Sequence, residues 1–70
     1  MKAIVYRWKD NAYKEVAEIS DDLLVRGDAH YTSIINDWIE QQDNILAIKM
    51  FPKLAREFSN GYVEVQVVED

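Results

Sequence analysis

The side chains that could do chemistry are few, and their spacing argues against most of it. His30 is the single histidine, and there is no cysteine. A general base needs a proton donor or a carboxylate within hydrogen-bond reach. Asp28 lies two positions before His30, and Ser33 falls on the polar side of the same stretch. His30 therefore reads as a surface residue in a helix's first turn. An imidazole or thiolate metal site needs further ligands of that kind, so no metal is expected. Asp21 and Asp22 are adjacent, and Asp37 and Glu40 stand at i, i+3. Paired carboxylates act as acid and base only where burial or a fixed substrate separates their pKa values, and exposed helix acids solubilise instead. The two glycines, Gly27 and Gly61, stand in neither a GxGxxG nor a GxxxxGK setting, so no phosphate loop is expected. No catalytic residue, no cofactor and no enzymatic activity are expected.

One stretch must organise the rest. In Asp28 to Asp43 the apolar residues Tyr31, Ile34, Ile35, Trp38 and Ile39 follow i, i+3, i+4, i+7 and i+8. That spacing puts all five on one side of a helix, with Thr32, Ser33, Asn36, Asp37, Glu40 and Gln41 on the other. Asp28 can cap the start. Lys2 to Trp8 is rich in β-branched and aromatic residues and reads as a strand. Lys9-Asp10-Asn11-Ala12 supplies a turn, and Tyr13 to Ser20 returns as a second strand, its rival being a helix aligning Tyr13, Val16, Ala17 and Ser20. Asp21 to Gly27 is a connection. Ile45 to Phe51 is short and almost wholly apolar, which predicts a buried strand ending at Pro52 and followed by a short helix. Its rival is one bent helix from Ile45 to Phe58. Tyr62 to Val68 alternates Val63, Val65 and Val67 with Glu64 and Gln66, a half-buried strand.

Seventy residues without a disulfide make one domain with a thin margin of stability. The expected fold is α+β: an antiparallel sheet of about four strands, in the order ββαβ(α)β, with the amphipathic helix packed on one face. The helix side is predicted to take Ile4, Tyr6, Trp8, Ile19, Leu46, Ile48, Met50, Val63, Val65 and Val67. The opposite face is predicted to show Val5, Val16, Ala47, Phe51, Tyr62 and Val68, mixed with Arg7, Lys14, Lys49, Glu18, Glu64 and Gln66. An apolar face of that kind is where a partner, or a second copy, would pack.

The net charge of −5 suits a chain that binds other proteins better than one that binds nucleic acid. Acids concentrate in residues 15–43, and the expected partner-binding residues are Asp21, Asp22, Asp37, Glu40 and Asp43, which would meet a basic surface. The lesser alternative is a nucleic-acid module built on Arg7, Trp8, Lys9 and Lys14, where aromatics and cations interleave. Leu23 to Glu40 (a short strand, Val25-Arg26-Gly27-Asp28, then a helix ending Trp38-Ile39-Glu40) resembles a stretch of the HicB-type antitoxins, whose fold is a partially degraded ribonuclease-H-like one. The likeness covers under a third of the chain. The Glu-Glu-Ala run opening those helices is replaced here by Ala29-His30-Tyr31-Thr32-Ser33, so the chain is not assigned to that family. Small, acidic, cysteine-free chains also resemble in composition the inhibitors of phages and mobile elements. No segment reaches membrane-spanning length and the N-terminal apolar run is too short for a signal peptide, so the cytoplasm is the expected compartment.

Overall fold

The structure is a computed structural model and describes residues 1–42 and 47–69. Strands β1 (Lys2–Lys9) and β2 (Ala12–Ile19) form a hairpin around Asp10 and Asn11, whose φ angles are 55° and 64°. Two left-handed residues in succession give the turn whose twist matches the strands it joins, and Asp and Asn are the residues besides glycine that tolerate it. Residues 12–19 are therefore strand, as the turn chemistry predicts.

The predicted connection at 21–27 is corrected in part. Ser20 N–H donates to the Leu24 carbonyl and Leu23 N–H to the Ser20 carbonyl, closing a tight turn with Leu23 at φ 64°. The chain leaves that turn as a third strand, β3 (Val25–Gly27), paired with β2 at Ala17↔Gly27, Glu18↔Arg26 and Ile19↔Val25. Helix α1 (Ala29–Glu40) begins where Asp28 accepts from His30 N–H at 3.0 Å, the expected cap. Of its apolar stripe, Ile35 and Ile39 are buried, Tyr31 and Trp38 half-buried, and Ile34 exposed.

The strand predicted at Ile45 to Phe51 is also corrected. Ile45 and Leu46 lie outside the described residues, and Ala47–Phe58 is a helix, α2, with Pro52 inside it. The rival, a helix running through to Phe58, agrees with the described residues from Ala47 onward. Met50, Phe51 and Leu54 are buried and Phe58 half-buried, a helical spacing, while Pro52 and Lys53 face solvent. Burial of that stripe outweighs the backbone bond that Pro52 cannot donate. Strand β4 (Val63–Val68) follows as predicted.

The four strands form one antiparallel sheet in the order β3-β2-β1-β4, so the α+β class and the open sheet stand, while the third strand comes from 25–27. Both helices contribute to one core with one sheet face: Ala3, Val5, Ala17, Ile19 and Val65 meet Ile35, Ile39, Met50, Phe51 and Leu54. The helices touch through Trp38, whose indole N–H donates to Glu57 at 2.6 Å and whose ring stands edge-on to Phe58 at 5.8 Å.

This core corrects the predicted phase of β1. Ala3 and Val5, not Ile4, Tyr6 and Trp8, face the helices. Small Ala3 and Val5 let the buried Phe51, Leu54 and Ile35 reach the sheet, which rings at Tyr6 or Trp8 would hold off. Strand β2 changes phase along its length. The register passes from Val5↔Ala17 to Tyr6↔Glu15, leaving Val16 as a bulge, so Ala17 and Ile19 join the core while Tyr13 and Glu15 turn to the other face.

Strand β4 is an edge, and part of it is capped. Asn60 Oδ1 accepts from the N–H groups of Tyr62 and Val63, each at 3.0 Å, and Ser59 Oγ accepts from Val65 N–H at 3.2 Å. Asn60 N–H donates back to the Val63 carbonyl at 3.0 Å. These side chains occupy ladder positions that a further strand would need.

Candidate functional site

The sheet face away from the helices carries exposed side chains laid out in rows by the strand register. Antiparallel pairing places directly opposed residues on one face, close enough for their side chains to touch. The register therefore lays out three rows across β2, β1 and β4. Tyr13 is paired with Trp8, and Trp8 N–H donates to the Tyr62 carbonyl at 2.7 Å, giving an aromatic row. Next comes Glu15–Tyr6–Glu64, a tyrosine with a glutamate on each side. Then comes Glu18–Ile4–Gln66, with Arg26 beyond Glu18.

The aromatic row is exposed, and its Trp8–Tyr13 pair is held in place. Trp8 is 43% exposed, Tyr13 45% and Tyr62 71%. The rings of Trp8 and Tyr13 meet edge to face at 4.9 Å, and the Tyr13 hydroxyl donates to the Gly61 carbonyl at 2.8 Å. Tyr13 thus reaches over β1 from β2 to the turn before β4, with both ends of its side chain held. Beside it lies a shallow cavity of about 350 Å³ lined by Tyr6, Tyr13, Glu64 and Gln66. Glu15, Glu64 and Gln66 make no side-chain hydrogen bond or ion pair among the described residues.

Of the predicted open-face residues, Tyr62, Val68, Glu18, Glu64 and Gln66 lie there by register. Val5, Arg7 and Lys14 lie on the helix side, and Phe51 is in the core. The predicted partner-binding acids are scattered over separate elements. Asp37 and Glu40 are exposed on α1, and Asp21 and Asp22 are exposed in the β2–β3 turn. Asp43 lies outside the described residues. Asp22 accepts a hydrogen bond from Ser20 Oγ–H, and this bond above all lowers its pKa below the ordinary aspartate value.

The residues of the nucleic-acid alternative are divided between the two faces. Trp8 belongs to the aromatic row, whereas Arg7 pairs with Lys14 on the other side and Lys9 follows Arg7 in the same phase. Lys14 also lies 3.6 Å from Asp10. A base stacked on Trp8 or Tyr13 would bring its phosphates to Glu15 and Glu64 rather than to those cations. His30 is exposed with its ring edge-on to Tyr31 at 5.1 Å. It borders an apolar recess of about 290 Å³ between α1 and the end of α2, where Glu57 is already engaged by Trp38.

Tyr6 and Tyr13 are the site residues that periodicity does not reveal. They carry the same apolar signal as core residues, and only the register and the bulge assign them to the open face. No helix among the described residues is long and apolar enough to cross a membrane. No protein-family model matches the chain, and comparison with curated proteins and with solved structures yields no match either.

Proposed function

We propose that this chain is a non-enzymatic protein-binding module that acts by covering a basic surface on its partner, as an inhibitor or an antitoxin-like protein of the phage or mobile-element type would. One observation carries it: an exposed aromatic row, Tyr13–Trp8–Tyr62, abuts a carboxylate row, Glu15–Tyr6–Glu64, on the sheet face opposite the one that the two described helices cover. Rigid aromatics supply most of the energy at the centre of protein interfaces. Carboxylates around them select a basic partner and speed encounter more than they add affinity. The exposed aromatics among the described residues, Trp8, Tyr13 and Tyr62, belong to this row, so the part of Asp21, Asp22, Asp37 and Glu40 in this proposal is long-range steering.

The test is comparative capture from the native host, with Tyr62→Asp and the pair Asp37→Lys, Glu40→Lys beside the unaltered chain. Tyr62 is 71% exposed, so its replacement leaves folding nearly unchanged. A protein held by the unaltered chain and lost from Tyr62→Asp supports the proposal. Identical captured proteins from all three would sink it. If light scattering finds a dimer that Tyr62→Asp dissolves, the partner on this face is a second copy.

A further inference from the structure

We propose that the cavity between Tyr6, Tyr13, Glu64 and Gln66 receives an arginine side chain of the partner, an assignment that rests on the binding-module reading and gives it a ligand chemistry. The lining combines two tyrosine rings, a carboxylate and an amide. A cation is attracted to the face of an aromatic ring, and arginine also stacks on it as a plane. Glu64 offers oxygens that a guanidinium fork can engage in two parallel bonds, and Gln66 adds a carbonyl acceptor.

The alternatives fit less well. A quaternary ammonium has no N–H to donate and would leave both acceptors unused. A lysine ammonium is a compact, strongly hydrated point charge that neither stacks nor forks. The local charge is one-sided: the aromatic and glutamate rows hold Glu15 and Glu64 and no cation, while Arg7, Lys9 and Lys14 fall on the reverse face. Lys2, paired with Val68, lies one row beyond Gln66, and Arg26 stands at the β3 end of the Gln66 row, separated from Gln66 by β2 and β1. Tyr13 forms a fixed wall because its hydroxyl is tied to the Gly61 carbonyl at 2.8 Å. A wall already in place reduces the ordering that a ligand must impose.

The experiment is a titration of the isotopically labelled chain, followed by NMR, with capped Gly-Arg-Gly, Gly-Lys-Gly and Gly-citrulline-Gly tripeptides. A single side chain in a shallow site should bind with a Kd on the order of millimolar. The arginine peptide should shift the backbone signals of Tyr6, Tyr13, Glu64 and Gln66 and the side-chain amide of Gln66, with saturation. The lysine peptide should bind about threefold or more weakly, and uncharged citrulline should give no shift. Glu64→Gln, which keeps shape and removes charge, should weaken the arginine peptide about tenfold with an otherwise unchanged spectrum. Equal shifts from citrulline, insensitivity to Glu64→Gln, or shifts spread over Asp21, Asp22, Asp37 and Glu40 would each overturn the assignment. If the arginine peptide gives no shift while Tyr62→Asp still loses a captured protein, the cavity assignment falls and the binding module stands. If arginine fills the cavity and no captured protein depends on Tyr62, the reverse holds.

Discussion

A Cβ at position 27 would stand 2.3 Å from the Val16 carbonyl oxygen and 2.7 Å from the Ala17 Cα, on backbone with φ +132°. Both clashes are with the backbone of the neighbouring strand at its bulge, so no side-chain rotation relieves them. Gly27→Ala should destabilise the chain by about 3 kcal/mol in chemical denaturation. Gly61 has φ +93° but open space around it, and Gly61→Ala should cost only about 1 kcal/mol. Ser20 sets a different single-residue effect. Its hydroxyl lowers the pKa of Asp22, so the stabilisation from that bond is present above the ordinary aspartate pKa and is lost as pH falls through the depressed one. Ser20→Ala should return the Asp22 titration, followed by carboxyl NMR, upward toward the ordinary value of 3.8.

Among the elements, α2 bears most on the core. Phe51 is fully buried and Leu54 nearly so. Phe51→Ala should cost about 3–5 kcal/mol, enough to unfold most of the population in a domain of this size. Pro52 lies on the exposed side of the same helix, and Pro52→Ala restores a backbone donor. That change should raise stability by about 1 kcal/mol or more; a loss would mean that proline is fixing the helix's path. These residues also explain what could be read beforehand. Helix α1 was legible because five apolar residues repeat at helical spacing behind a capping aspartate. Helix α2 was not, because Ile45 to Phe51 is apolar at almost every position and matches both periods until it is followed through Pro52 to Leu54 and Phe58. The third strand has only Val25 and a turn behind Ser20 to announce it. The candidate site was legible only in pieces: Tyr62, Glu64 and Gln66 followed from alternation in β4. Tyr6 and Tyr13 needed the pairing of three strands and a bulge at Val16, which no local pattern encodes.

At the scale of the molecule, the sheet keeps its two faces chemically distinct. One is closed by both helices around Phe51 and Ile35, and the other presents rings between glutamates. Partners are expected on the face and not along the β4 edge, since Ser59 and Asn60 occupy that edge from Tyr62 to Val65. Asn60→Ala should free those N–H groups. It should lower stability by about 1 kcal/mol and make the apparent mass in light scattering rise with concentration, as unprotected edges pair between chains. The strand order has a consequence for synthesis on the ribosome. β1, translated first, has one flank for β2 and the other for β4, translated last of the four. Until Val63–Val68 pairs with it, that flank of β1 is a bare edge of the hairpin, so slowing translation just before β4 should lengthen the interval in which chaperones or neighbouring nascent chains can bind there.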